Sequence, residues 1–347
     1  MADAPLLTLD PHNPDPAVVN RAAELLRGGG LVAFPTETVY GLGANALNPA
    51  AVAAIYAAKG RPAWNPVIAH VPDVASAQAI TRHWPAVADR LAATFWPGPL
   101  TLVLPKAPHV PDVATAGLDA IGVRVPAHPV ALALLRAAGV PIAAPSANRF
   151  TQVSPTTAQH VQASLGDRVG LILDGGPCPV GIESTVVDLT GADVVILRPG
   201  MISAADLELA LRGSGVAVRT ATATVSHDAS TDATAQRSPG MADRHYAPRA
   251  DVWLFDPGQE REITTALAGY LATPTAGHVT ALVRSTTLAV PSGTVVRMPD
   301  DPATYARELY AALHAADAAG AALIVIERPP ADDRWAALRD RLNRAAR

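Results

Sequence analysis

The sequence predicts an α/β protein with two domains, a larger N-terminal one over residues 1–212 and a smaller C-terminal one over 251–347. Three observations lead there. Short apolar runs alternate with stretches of helical apolar spacing along most of the 347 residues. Between 213 and 250 that periodicity vanishes into Thr, Ala, Ser and Gly, which reads as a linker or lid longer than an ordinary loop. The chain is also longer than one hydrophobic core usually organises.

The elements follow in order. Asp15-Pro16 places a capping residue before a proline at the first helical position, and Val18, Val19, Ala22, Leu25 and Leu26 recur at helical spacing until Gly28-Gly29-Gly30. Leu31-Val32-Ala33-Phe34 reads as a buried strand. It runs into Pro35-Thr36-Glu37-Thr38-Val39-Tyr40-Gly41-Leu42-Gly43, a hydroxyl-rich segment expected to be a loop at a strand end, where α/β sheets line their ligand crevices. No Gly-Lys-Ser/Thr follows it, so it is not a P-loop. A helix over 49–58 delivers Lys59, and Pro62 stops it. Strands are expected at 67–71, carrying His70, and at 100–104, 121–125, carrying Arg124, 142–144, 170–173, 184–189 and 194–197. Helices fall at 74–81, 85–94, 128–138, 156–165 and 203–212. The second domain reads as strands at 252–255, 279–284, 294–298 and 322–327 with helices at 259–272, 302–318 and 332–345.

Composition excludes several classes. Hydrophobic residues are 49% and charged ones 17%, a globular balance. No apolar run approaches the roughly 20 residues of a bilayer span, and the acidic, proline-rich start lacks the features of a signal peptide. A single cysteine, Cys178, rules out an intramolecular disulfide and fits a reducing cytoplasm. Net charge is −4, so contact with RNA would need a local patch. The ten histidines include no helical pair suited to zinc. Cys178 lies between prolines without an evident base, Asp174 and Glu183 read as turn formers, and no nucleophile stands out.

What recurs instead is cations and hydroxyls at element ends. Lys59, Arg61, Arg124 and Arg198 are the cations; Thr36, Thr38, Ser146, Asn148, Ser184 and Thr185 are the neutral donors. Lys59 and Lys106 are the only two lysines beside 25 arginines, so a lysine at 59 hints at a need for a compact point charge. A basic pair at a helix end also complements the helix dipole, and each hydroxyl could cap a turn. Together they describe a crevice for a polyoxygen anion, expected to leave Lys59 and Arg61 at its wall rather than in the core. Positioning and charge neutralisation are how phosphoryl and nucleotidyl transfer are catalysed.

Four segments, in order, carry a resemblance: Phe34 to Leu42, Lys59-Gly60-Arg61-Pro62 with Asn65-Pro66, Pro145-Ser146-Ala147-Asn148, and Gly181-Ile182-Glu183-Ser184-Thr185-Val186. They closely resemble the YrdC-type threonylcarbamoyl-AMP synthases. Ser238-Pro239-Gly240-Met241, His245-Tyr246-Ala247-Pro248 and the second α/β region resemble the long two-domain form. The resemblance implies a YrdC-like twisted mixed sheet with flanking helices and a Rossmann-like three-layer C-terminal domain. It implies that L-threonine, bicarbonate and ATP, with Mg2+, yield threonylcarbamoyl-AMP and pyrophosphate, and that a partner transferase carries the group to tRNA. Lys59, Arg61, Asn65, Ser146, Asn148, Ser154 and Arg198 would hold ATP, Lys59 and Arg61 acting in catalysis, with His245 of the linker reaching back to the nucleotide. Thr38, His70, Arg124, Ala144 and Ser184 would hold threonine. Ala120 stands where many relatives carry Thr, which leaves a backbone contact to ATP. Two other readings are the carbamoyl-adenylate step of hydrogenase maturation, which a single cysteine disfavours, and a non-catalytic RNA-binding module, which the acidic balance of 1–212 disfavours.

Overall fold

The structure, a computed structural model, describes residues 3–221, 245–274, 276–291 and 293–347. They fall into two compact units: 3–150, 155–179 and 183–221 form the first, and 151–154, 180–182 and 245–347 the second. The boundary expected at 212 therefore moves. Residues 218–220 are a strand of the first unit's sheet, paired in parallel with 194–196. Residues 245–250 belong to the second unit, where Ala247 N donates to Thr151 O at 2.9 Å. A three-residue edge strand with one half-buried valine carries too little pattern to be read from sequence. The lid expectation over 222–244, including Ser238 to Met241, lies outside the described residues.

The first unit's sheet has eleven strands: β1 (Leu6–Thr8), β2 (Val32–Phe34), β3 (Gly41–Asn45), β4 (Ile68–His70), β5 (Leu100–Pro105), β6 (Ala120–Arg124), β7 (Ile142–Ala143), β8 (Leu171–Asp174), β9 (Thr185–Asp188), β10 (Val194–Arg198) and β11 (Val218–Thr220). Their spatial order is β1-β8-β2-β3-β7-β4-β6-β5-β9-β10-β11, with parallel and antiparallel pairs mixed. Two further strands depart from the sequence reading. β1 lies in the proline-rich start and pairs with β8. β3 takes up the glycine-rich end of the expected loop, pairing Phe34 with Gly41 and Val32 with Gly43. Glycine makes that pairing fit: a Cβ on Gly43 would lie 2.9 Å from the Phe34 ring and 3.1 Å from Ile142.

Three helix starts of the first unit follow one local rule. Pro16–Arg27, Pro49–Lys59 and Pro129–Ala138 each begin with proline after a residue whose side chain accepts an N–H of the first turn: Asp15, Asn48 and His128 Nδ1. The helices load the two faces of the sheet unequally. One face carries the main core, in which Ala51, Val52 and Ile55, Leu91, and Val161 and Leu165 from helices pack on Leu102, Ile121, Val123 and Val187. On the opposite face, Pro16–Arg27 and Pro129–Ala138 cover β2, β7 and β8 through Ala22, Leu26, Leu134, Val32, Phe34 and Leu173. Farther along that face the apolar cluster is only Ile68, Val103 and Val186 with Ala120 and Leu197, and no helical residue belongs to it. Strand alternation puts Arg124 on this side, because Ile121 and Val123 point into the main core. Register sets His70 beside Arg124, Thr101 beside Val186, and Arg198 opposite Val186.

The second unit is a four-stranded, wholly parallel sheet with helices at Glu260–Leu271, Pro302–Ala318 and Ala336–Ala345. Its strands, β12 (Asp251–Phe255), β13 (His278–Val283), β14 (Thr294–Arg297) and β15 (Ala321–Glu327), run in the order β12-β15-β13-β14. These elements match the sequence reading closely. Glu327, at the carboxyl end of β15, is 1% exposed and organises the turn after β13. Its carboxylate accepts the N–H groups of Arg284, Ser285 and Thr286 at 2.8–3.0 Å and the Ser285 and Thr286 hydroxyls. Burial raises its pKa, but the bonds from Ser285, Thr286 and Arg284 outweigh it and leave the carboxyl below its ordinary 4.5.

Two expectations follow. Gly43→Ala should lose about 1–3 kcal/mol in urea unfolding through overpacking against Phe34; an unchanged midpoint would refute the close approach of β2 and β3. A depressed carboxylate stabilises the fold above its unfolded pKa of about 4.5 and loses that contribution as pH falls through its folded value. Glu327→Gln should therefore cost about 1–3 kcal/mol at pH 7, and the gap to the unaltered protein should narrow in acid. A gap independent of pH would show that the charge on Glu327 does not matter.

Candidate functional site

The cation pair is set by a helix end. Pro49–Lys59 stops because Gly60 adopts φ 62°, the left-handed geometry that glycine takes without strain. Arg61 N closes the turn on Tyr56 O at 3.0 Å. Lys59 Nζ then reaches the loop after β7, donating to Ser146 O at 2.6 Å and to Asn148 O. Phe150 N donates back to Lys59 O at 2.9 Å. The Arg61 guanidinium folds over its own loop: Nε donates to Asn65 O at 3.1 Å, and Nη2 to Asn65 Oδ1 at 2.6 Å and Pro66 O at 2.7 Å.

This corrects one expectation. Lys59 and Arg61 are 3% and 6% exposed, not side chains on an open wall. A buried cation needs acceptors, and the carbonyls of the two flanking loops provide them. Burial, and then the charge of Arg61, push the Lys59 ammonium well below the usual lysine range. The structure thus brings Lys59, Ser146 and Asn148 together, and Arg61 with Asn65.

A second cluster gathers around Arg124, on the side of the sheet that carries Ile68, Val103 and Val186. Arg124 Nε donates to Gly98 O at 3.2 Å and Nη2 to Thr38 Oγ1 at 3.0 Å, and Nη2 pairs with Glu37 Oε1 at 2.7 Å. Thr38 is held by Thr36, whose hydroxyl lies 2.8 Å away and donates to Val39 O at 2.6 Å, a local turn that fixes the loop after β2. His70 is 3% exposed; burial first, and then Arg124, lower its pKa to about 3, so the ring is neutral at physiological pH. Ser184 bonds Thr101 Oγ1 at 2.8 Å and accepts from Arg198, Nη2 to its hydroxyl at 3.1 Å and Nε to its carbonyl at 3.2 Å. Thr38, Arg124 and His70 therefore meet, as do Ser184 and Arg198.

Buried polar atoms without a hydrogen bond mark places where a ligand can bind. On these elements they include Asn65 Nδ2, His70 Nδ1 and Glu37 Oε1. Sequence reasoning gave no role to Glu37 or to the fully buried Thr101. Glu37 sits between the two threonines that were singled out, and a carboxylate beside a row of cations was the available signal. Asp174 is a turn former, its Oδ1 accepting Gly176 N at 3.0 Å. Cys178 is buried, and burial raises its thiol pKa, which removes it as a nucleophile.

Ala120 is at the far end of β6, about 13 Å along the strand from Arg124, against Ile68, Val103 and Val186. The Ala144 methyl belongs to the helix-covered core, and its N donates to Ile68 O at 3.0 Å. Ser154 and His245 belong to the second unit. There His314 Nε2 lies 3.1 Å from Ser154 O, and His245 N donates to Arg344 O at 3.3 Å. The His245 ring is 4.1 Å from Tyr246, whose own ring lies under Arg341. Among the described residues no group of three or more His, Cys, Asp or Glu could hold a metal ion. A cation would fit this face only as an ion brought on a ligand's own oxygens.

Comparison with known proteins adds independent information. Residues 24–200 match the Sua5–YciO–YrdC family model, described as "Telomere recombination", and 202–347 match "Threonylcarbamoyl-AMP synthase, C-terminal domain". A protein of Pyrococcus abyssi named threonylcarbamoyl-AMP synthase is 46% identical over 240 residues, 69% of this chain and 68% of that one. Its namesake in Bacillus subtilis is 45% identical over 249 residues, 71% and 69% of the two chains. The solved structure of P. abyssi Sua5 complexed with L-threonine superposes with a TM-score of 0.88 at 38% identity, covering 98% of this chain and 97% of that one. With both of its units matched, the chain belongs to the Sua5–YciO–YrdC family in its two-domain form.

Proposed function

We propose that the protein is an L-threonylcarbamoyladenylate synthase, a nucleotidyltransferase that makes threonylcarbamoyl-AMP and pyrophosphate from L-threonine, bicarbonate and ATP for tRNA modification. The observation that carries this reading is a set of buried polar clusters in the first unit: Arg124 with Thr38 and His70, Ser184 with Arg198, and the cations Lys59 and Arg61 on loop carbonyls, with no activated nucleophile among the described residues. The threonine amine and bicarbonate give the carbamate with loss of water, and this supplies its own nucleophile, a carbamate oxygen attacking the α-phosphorus of ATP as pyrophosphate leaves. The protein's task is then to hold two anions together and offset their repulsion. Arg124 and Ser184 take the amino acid's carboxylate, and Thr38 and neutral His70 its polar side. Lys59, Arg61, Asn65 and Arg198 take phosphate oxygens, exchanging carbonyl acceptors for charged ones, with Ser146 and Asn148 beside them. A magnesium ion, if carried on the triphosphate oxygens beside Lys59 and Arg61, would share the phosphate charge with these two cations. The labile mixed anhydride passes to a transferase that acts on tRNA, and any RNA contact by this chain is local. Among the described residues no helix is long and apolar enough to cross a membrane, and the proposed place of work is the cytoplasm.

ATP–pyrophosphate exchange by the purified protein should require both threonine and bicarbonate; exchange that persists without either one sinks the assignment. Lys59→Ala should lower adenylate formation ~100-fold or more. Because its ammonium is buried on two carbonyl oxygens, the same substitution should also cost about 1–3 kcal/mol of stability. Near-normal turnover by a folded Lys59→Ala protein would remove Lys59 from the phosphate site.

A further inference from the structure

We propose that Glu37 is a specificity determinant of the first binding step: paired with Arg124, it admits the free amino acid as a zwitterion, before the amine is carboxylated, and rejects a carboxylate that arrives without an ammonium group. This rests on the reading that Arg124 takes threonine's carboxylate.

Glu37 and Arg124 have side chains 7% and 5% exposed and lie 2.7 Å apart. The carboxylate is anchored at its other oxygen, where Oε2 accepts Ala127 N at 3.0 Å, so the turn after β6 fixes its orientation. The guanidinium is fixed from two further sides by Gly98 O and Thr38 Oγ1. His70, beside Arg124 across β4 and β6, is neutral. The two charges in contact here are one carboxylate and one guanidinium, and they offset each other. A free arginine is a receptor for any anion. A buried arginine already compensated by a carboxylate is a poor one, because a bare carboxylate would leave an uncompensated charge out of water. An α-amino acid brings its own ammonium, and the pocket stays neutral. Glu37 Oε1 receives no hydrogen bond although it is buried, so it keeps lone pairs for an N–H donor. The neighbouring cation Arg198 is bonded to Ser184.

The test is calorimetric binding of L-threonine and of 3-hydroxybutyrate, which is threonine without its amino group, to the full chain without ATP or bicarbonate. The unaltered protein should bind threonine at least ~100-fold more tightly. Glu37→Gln keeps the shape and the acceptor for Ala127 N but removes the charge. It should weaken threonine about 10- to 100-fold, the range of one charge-assisted hydrogen bond, and strengthen 3-hydroxybutyrate, so that the ratio collapses. A residue that merely supports the fold would weaken both ligands alike, and an unchanged ratio overturns the proposal. Should the glutamine variant not fold, Glu37→Asp, which draws the charge back by one methylene, should give a ratio below that of the unaltered protein; a ratio equal to it overturns the proposal. Equal binding of the two ligands by the unaltered protein does the same. Arg124→Gln separates the two readings. Undiminished threonine affinity there ends both, whereas lost affinity beside an unchanged ratio in Glu37→Gln ends only the role of Glu37.

Discussion

Charge taken out of water must be answered locally, and much of the first unit's loop structure follows from that. Lys59, Arg61, Arg124 and Arg198 are all 6% exposed or less. Each draws a separate piece of chain toward it: the 146–148 loop to Lys59, Asn65-Pro66 to Arg61, Gly98 and the 36–38 turn to Arg124, and Ser184 to Arg198. A buried cation without these acceptors would cost several kcal/mol. The same bonds preorganise the cations, since their positions are set before any substrate arrives.

The second unit meets the same constraint with opposite sign. Glu327 is an anion at the carboxyl ends of parallel strands, answered by backbone N–H groups and hydroxyls of one turn and by Arg284 at 3.8 Å. Both carboxylate oxygens there accept hydrogen bonds from three consecutive residues of one turn, Arg284 to Thr286, which is the pattern of a structural staple. Glu37 differs. One of its oxygens is anchored to backbone, and the other faces a guanidinium without receiving a hydrogen bond. That difference in satisfaction, rather than burial alone, separates a carboxylate that holds a fold from one suited to meet a ligand.

The legible parts of the fold were those with strong local causes. Proline after a capping residue marked the starts of Pro16–Arg27 and Pro49–Lys59, and the strands of the second unit were apolar runs long enough to read. β1, β3 and β11 were not legible, because three to five residues with proline, glycine or threonine carry no period, and only pairing with a neighbour makes them strands. Among site residues, the cations and hydroxyls stood out by type and by place at element ends. Glu37 and Thr101 did not, because a lone carboxylate or threonine in a strand-end segment looks the same whether it faces solvent or Arg124.

By itself the sequence determined which segments alternate, where the helices begin, the presence of two α/β regions and the motifs that place the chain in its family. These depend on neighbours within a few residues, through capping, proline geometry and side-chain spacing. Tertiary structure decided which side of the central strands Arg124 occupies, which carbonyls receive Lys59 and Arg61, and that Glu37 stands against Arg124. Those outcomes depend on residues dozens of positions apart, 87 in the pair Glu37 and Arg124, brought together by sheet order. Strand alternation selects the side on which Arg124 emerges, and the long-range pairing of β4, β6 and β5 selects the groups it meets there.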